Sequence, residues 1–328
     1  MKRILVLTSF IFGLVLSPVT WAQPSHVVML LWRGTTDAER GFMDYLKSQR
    51  DVRFTLLNAN GDKASLQQNI AQLTQLKPDL VYSFGTTITL ALLGTHFAPS
   101  EFTQQKIAPV VFSVVTDPVG SQLTEKLDQG HELFTGVTHI VPLSTQLNTI
   151  NMLGDINRIG VIFNPLESNS SLVTENMVEM GAQYKKSIFS YSLSVVDGKP
   201  DPNSVAHIAK LMKKHRIQMA YLPPDSFIIT QGKSVIEQLH QAGIPTFSAT
   251  ETPIRDHQAL LGVVGRYYSV GQFAGFKAEQ ILSKRYQPTE IAIEGLSQYS
   301  YIVNLSAAES LDYYPPISVL KIAEVIGK

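Results

Sequence analysis

Apolar, strand-like runs recur along this chain, and each stops at a small or polar turn that opens a helix-like segment. The clearest are Leu80–Phe84 before Gly85-Thr86-Thr87, Val110–Val115 before Thr116-Asp117-Pro118, and Ile159–Phe163 before Asn164-Pro165. Short, continuous, β-branched runs alternating with amphipathic stretches are the pattern of parallel strands buried on both faces and joined by crossover helices. In such sheets the turns that follow the strands gather on one edge, where ligands bind. The residues of those turns are therefore the first candidates for function.

Residues 1–22 read as export, not fold. Met1-Lys2-Arg3 is a basic start, Ile4 to Leu16 an apolar run, and Ser17 to Ala22 a short segment ending in a small residue. That is the layout of a secretory signal cleaved after Ala22, with an apolar core shorter than the roughly 20 residues that span a bilayer. No later run approaches that length, so the mature chain is expected to be soluble. The 328 residues include no cysteine, which excludes a disulfide framework, a thiol nucleophile and a lipid-modified cysteine at the signal junction. An exported, unanchored, cysteine-free chain fits the periplasm of a Gram-negative cell. Lys and Arg total 27 against 27 Asp and Glu. With that balance and no basic stripe, nucleic acid is not an expected partner.

A coarse pass predicts strands at 26–32, 52–58, 79–84 and 108–115, alternating with helices at 36–48, 64–76 and 87–96. The cycle restarts after Gly136, with helices at 143–153, 168–182, 203–215 and 228–242 and strands at 158–163, 186–194, 217–222 and 244–249. The remainder reads as strand 260–264, helix 268–284, strands near 290–294 and 299–304, and helix 317–326. Two successive units of this kind predict an α/β protein of two doubly wound parallel-sheet lobes. The last pieces are too few for a third domain, so they complete the two sheets and the chain crosses between lobes more than once. The expected division is 24–137 with 262–297, and 138–261 with 298–328, hinged to close over a cleft.

Gly85-Thr86-Thr87 offers backbone N–H groups and hydroxyls at a helix start, either to a carboxylate or as an ordinary cap. Ser168-Asn169-Ser170 poses the same choice in the second unit, with Glu167 able to cap instead. Asp225 follows a strand, where a buried acid needs a compensating partner. A ligand ammonium would supply one; an exposed helix cap is the alternative. Asp117 before Pro118 is a turn former or a cleft residue, and Glu251 at another strand end is equally open. Arg33 beside Trp32 can pair bidentately with a carboxylate, stack on an aromatic ring, or lie on the surface. Of Tyr267 and Tyr268, one is expected in the cleft with the other packed beneath it, and Tyr268 is the candidate.

Catalysis finds little support. Neither a Gly-x-Ser-x-Gly elbow nor a Gly-x-x-x-x-Gly-Lys loop occurs, and the eight histidines lack His-Glu-x-x-His or comparable spacing. No catalytic residue, metal or cofactor is therefore expected. His139, near the first crossing, is the one histidine that merits inspection.

Five segments in order, Pro109 to Gly120, Thr135-Gly136-Val137, Arg158 to Ser170, Tyr267-Tyr268-x-x-Gly271-x-x-Ala274-Gly275, and Tyr301 to Leu305, resemble one family. It is the ABC transporter substrate-binding family whose studied members bind tryptophan and other aromatic amino acids. The resemblance implies a type I periplasmic-binding-protein fold, three crossings between lobes, and a ligand held at the hinge. Gly85-Thr86-Thr87 resembles the family's Gly-Thr-Pro-Ala turn without its proline. Asn164 to Ser170 retains an Asn-Pro-x-Glu-x-Asn-Ser turn, which adds Asn164, Asn169 and Ser170 to the candidates. Pro223-Pro224-Asp225-Ser226 keeps the aspartate of a Pro-Thr-Asp-Asn turn, and Trp32-Arg33 stands where His-Pro is common. The implied function is capture of an aromatic or large apolar amino acid by a monomer that delivers it to an inner-membrane ABC permease. A membrane receptor is the alternative partner, and a periplasmic hydrolase the third possibility. The sharpest expectation sets Thr86 and Thr87 on the ligand carboxylate and Asp225 on its ammonium.

Overall fold

The computed structural model describes residues 23–327, so the expected signal at 1–22 lies outside them. Strands β1 (Ser25–Leu31), β2 (Val52–Asn58), β3 (Leu80–Phe84), β4 (Val110–Val115) and β5 (Phe134–Thr138) form a parallel sheet in the order β2-β1-β3-β4-β5. There follow β6 (Arg158–Phe163), β7 (Ser187–Ser192), β8 (Val195–Val196), β9 (Lys199–Pro200), β10 (Met219–Leu222), β11 (Thr246–Ser248), β12 (Leu261–Val264), β13 (Ser300–Asn304) and β14 (Ala323–Ile326). Seven of these make a second sheet, β14-β13-β12-β11-β10-β6-β7, parallel except where β12 meets β13. Strands β8 and β9 pair with each other as a short antiparallel ribbon.

The continuous apolar runs serve two cores at once. In β1, Val27, Met29 and Leu31 enter one cluster while Val28 and Leu30 enter the cluster on the opposite face. In the second sheet Met219 and Tyr221 of β10 face one core, and Ala220 and Leu222 face the other. Successive strand residues point to opposite faces, so a run buried on both sides has no polar positions to spare. Each such Val, Leu or Ile contributes about 1.5–3 kcal/mol by leaving water.

One helix pair fixes the geometry of the first lobe. Helix Asp37–Gln49 begins at a capping box, Thr36 with Glu39, and buries Ala38, Phe42 and Leu46 at four-residue spacing. Helix Tyr267–Leu282 lies against it with Val270, Ala274 and Ala278 buried. A Cβ added at Gly41 would lie 2.1 Å from the Tyr268 carbonyl oxygen, and one at Gly271 1.9 Å from that of Ala38. The helices thus approach backbone to backbone, which only glycine permits. That contact sets where Tyr267, the first residue of its helix, can stand.

The chain passes between the sheets at three points: after Thr138, after Val264, and between Glu294, bridged to Val137, and Ser300. Strand β12 pairs inside the second sheet, so a boundary at 261/262 cuts through it; the passage follows Val264. The helix predicted at 317–326 is instead one turn, Ile317–Leu320, followed by β14. The open edge of β13 offers Ala323–Ile326 a full set of ladder bonds, and that tertiary opportunity overrides local helix preference. Near 290–294 there is a 3₁₀ turn at Pro288–Glu290 and the single Glu294 bridge, not a strand.

Candidate functional site

The turns after β1, β3 and β4 face those after β6 and β10 across one cleft of about 400 Å³, its mouth included.

The first sheet supplies a cationic wall. Arg33 lines the cleft with its guanidinium 4.9 Å from the centre of the Phe84 ring, and it forms no ion pair among the described residues. Beside it the helix Gly85–Leu93 opens into the cleft with no side-chain cap. Gly85 takes a φ of +76°, a left-handed turn that leads straight from strand to helix. Helix N-termini carry unsatisfied N–H groups and partial positive charge. Thr86 is buried, its hydroxyl accepting the Thr116 N–H at 3.3 Å, while Thr87 is half-buried. Val114 also lines this wall, at a φ of +60° where β4 shifts register against β5 between Ser113 and Val115. A β-branched residue in that region is strained, and here the irregularity lies in the cleft wall.

The second sheet supplies an acidic wall. Asp225 is 1% exposed and caps helix Ser226–Gln241, with Oδ1 accepting the N–H groups of Phe227 and Ile228 at 2.9 and 3.3 Å. Its Oδ2 accepts the Asn164 N–H at 2.8 Å and the Ser170 hydroxyl at 2.6 Å. The compensation a buried acid requires thus comes from four protein donors. Glu167 accepts only the Ser226 N–H among the hydrogen bonds formed with described residues, at 3.0 Å, and it lines the cleft. Asn169 donates to the Pro224 carbonyl at 2.7 Å, which ties the two turns together again.

Burial raises both carboxyls; the Asp225 charge lifts Glu167 further, to about 7, against the opposing pull of Arg33. Donors that converge on a carboxylate favour its ionised form. Asp225, with four of them, therefore holds the negative charge of the pair, and Glu167 takes the proton.

Two side chains rise from the crossings. His139 follows β5 and Tyr267 follows β12; both line the cleft, are nearly inaccessible, and meet edge to face at 5.6 Å. Burial and then the Arg33 charge hold His139 down at about 3, and burial pushes the Tyr267 phenol up to about 12.

Of the sequence candidates, Trp32, Arg33, Thr86, Thr87, Asn169 and Asp225 line this cleft. The others stand behind or away from it. Asp117 closes a turn by accepting the Gly120 N–H at 2.8 Å. Asn164 and Ser170 brace Asp225 from beneath. Glu251 accepts the Tyr267 N–H at 2.9 Å, so it seats the helix that carries Tyr267. Tyr268 points outward, 38% exposed, and donates to Asp44 at 3.0 Å. Tyr267 occupies the cleft in its place, because adjacent residues of a helix turn to different faces. Phe84, His139 and Glu167 also line the cleft outside the candidate set. Their signals were a strand end, a crossing and a family turn respectively. Among the described residues no cluster of His, Asp and Glu could hold a metal ion, and no helix is long and apolar enough to cross a membrane.

The family model for ABC transporter substrate binding proteins matches residues 33–326. A tyrosine-binding protein of Clostridioides difficile (strain R20291) is 23% identical over 282 residues, spanning 84% of this chain and 76% of that one. A conserved domain protein from Vibrio cholerae has a similar solved structure, with TM-score 0.79 at 21% identity over 92% of this chain and 99% of its own. So has an ABC domain from Streptococcus pneumonia in complex with L-Trp, with TM-score 0.76 at 22% identity over 92% and 100%. The architecture they share with this chain is the type I periplasmic-binding-protein fold.

Proposed function

The chain belongs to the family of ABC transporter substrate-binding proteins, and on that footing we propose that its ligand is an α-amino acid with an aromatic or large apolar side chain. The observation that carries this reading is the polarity of the cleft. Arg33 and the uncapped Gly85 helix stand on one side, and the partly titrating Glu167 stands on the other. A zwitterion bridging the two has its carboxylate beside the cation and helix N-terminus and its ammonium beside the acid. Trp32, Phe84 and Tyr267 supply apolar ring surface between them. The tyrosine-binding relative and the L-Trp-bound neighbour support the same ligand class.

Binding that spans both lobes makes closure depend on the ligand, because only the closed form gains both sets of contacts. In this reading the protein works as a monomer in the periplasm, reached through a signal at 1–22, and hands its ligand to a membrane permease while ATP is hydrolysed by another subunit. It performs no chemistry itself. A thermal-shift screen of amino acids tests the ligand class. Ligand at a hundredfold excess over Kd stabilises the fold by about 2.7 kcal/mol, so binders stand out. A panel in which sugars or carboxylic acids shift the melt and no amino acid does would overturn the reading.

A further inference from the structure

His139 is left over when the charged ends of the cleft have been matched. It is 4% exposed, and neither Nδ1 nor Nε2 has a hydrogen-bond partner among the described residues. The Val115 carbonyl is near enough to oppose the fall in its pKa but falls outside hydrogen-bonding geometry. Leaving a buried polar group unpaired costs roughly 1–3 kcal/mol, and such groups in native proteins call for an explanation.

The residue is also held in place. A Cβ at Gly265, on the second crossing, would lie 2.7 Å from the His139 carbonyl oxygen, so the two crossings pack closely here. Tyr267 stands edge-on to the imidazole, and Arg33, Phe84 and Val114 line the cleft with it.

The chemistry of the ring narrows what it can meet. Burial and the neighbouring guanidinium keep it neutral at physiological pH, so it presents one N–H donor and one lone pair. A neutral imidazole can also hydrogen-bond a carboxylate or an ammonium, but Arg33 and the uncapped Gly85 helix already stand at the one end of the cleft and Glu167 at the other. It suits a neutral polar atom within an aromatic enclosure. We infer that His139 is a specificity-determining residue that hydrogen-bonds the hydroxyl or ring N–H of an aromatic ligand side chain, so the site favours phenol and indole amino acids over a plain phenyl one. This rests on the amino-acid reading above.

Calorimetry with L-tyrosine, L-tryptophan and L-phenylalanine, on the unmodified protein and on His139→Phe, tests it. A site built around a polar partner rejects the analogue that lacks it, often strongly. The unmodified protein should bind tyrosine or tryptophan at least about tenfold more tightly than phenylalanine, and His139→Phe should erase that ratio. The ligand-free variant should melt no lower than the parent, since it loses an unpaired polar group; a histidine with a purely structural role would lower the melt. Should His139→Phe fail to fold, His139→Asn, which keeps a donor and an acceptor at shorter reach, reads the same ratio. Failure of all three amino acids to bind the unmodified protein overturns this inference, and the amino-acid reading falls with it only if the large apolar amino acids fail to bind as well. Binding with phenylalanine equal to the others, or a ratio that survives loss of the imidazole, overturns this inference alone.

Discussion

The Ser170 hydroxyl donates to the Asp225 carboxylate at 2.6 Å, joining two turns that lie 55 residues apart in the chain. The Asn164 N–H reaches the same oxygen, while the other oxygen caps a helix. Asp225 therefore works as a clasp beneath the acidic wall, and Glu167, with a single backbone donor, is the acid that the proposed ligand ammonium would meet.

Asp225→Ala should destabilise the ligand-free fold by roughly 2–4 kcal/mol, from a lost cap and from donors left without an acceptor. Urea unfolding of the variant measures this. A midpoint equal to that of the parent would show that the clasp is not structural.

Under the proposed reading Glu167 should give the ligand affinity a pH dependence. With its carboxyl raised to about 7, it is protonated below that pH, whereas an ammonium needs it ionised, so binding expels a proton. Affinity should fall as pH drops below 7, approaching about tenfold per unit for one linked proton. Stability of the ligand-free protein runs the other way. A folded pKa above the unfolded one gives a contribution that is full below the unfolded value and lost as pH rises through about 7. Calorimetry in buffers of differing ionisation enthalpy counts the proton, and Glu167→Gln should flatten the profile. A profile that Gln leaves unchanged would place the titrating group elsewhere.

Arg33→Ala should weaken binding of an amino acid by about 2–5 kcal/mol, because the ligand carboxylate loses its cation. The ligand-free melt should hardly move, since Arg33 forms no ion pair among the described residues. Arg33→Lys should fall between, keeping the charge but losing the planar fork and the stack on Phe84. Titration of the two variants with one ligand settles the order, and an unchanged Kd for Ala would take Arg33 off the ligand.

Gly271→Ala should cost roughly 1–3 kcal/mol or more, as overpacking does when backbone must move. The new methyl would stand 1.9 Å from the Ala38 carbonyl oxygen. Gly275→Ala should cost less, for its nearest contact is the Tyr45 Cβ at 2.9 Å. Only the first sits next to the start of the helix, so only it should also weaken ligand binding through Tyr267. Equal destabilisation by the two changes would contradict the backbone contact.

Export can be read directly. Mass spectrometry of the periplasmic fraction should find Gln23 at the N-terminus, and an intact Met1 in the cytosol would refute the proposed processing.

Much of this was legible in the sequence, for identifiable reasons. The apolar run of β1 has to serve two faces, and that alone separates a doubly wound sheet from a half-exposed one. What resisted reading depends on partners far along the chain. Asp225 looked like an acid awaiting a ligand because its donors at 164 and 170 are invisible from position 225. Tyr267 and Tyr268 differ only in the direction each faces at the first turn of a helix. Ala323–Ile326 becomes a strand because β13 leaves an edge open, which no local propensity records. His139 stands out in the sequence by its place near a crossing, but its burial without a hydrogen-bond partner does not show there.

Trp32 stands half-buried in the cleft wall at the end of β1. The chain has two tryptophans, at positions 21 and 32, so processing after Ala22 leaves one. The mature protein would then carry its own optical probe, with no dye to attach. A ligand without an indole that dries the cleft should move the emission to shorter wavelength, and rapid mixing would follow the closing of the lobes in real time.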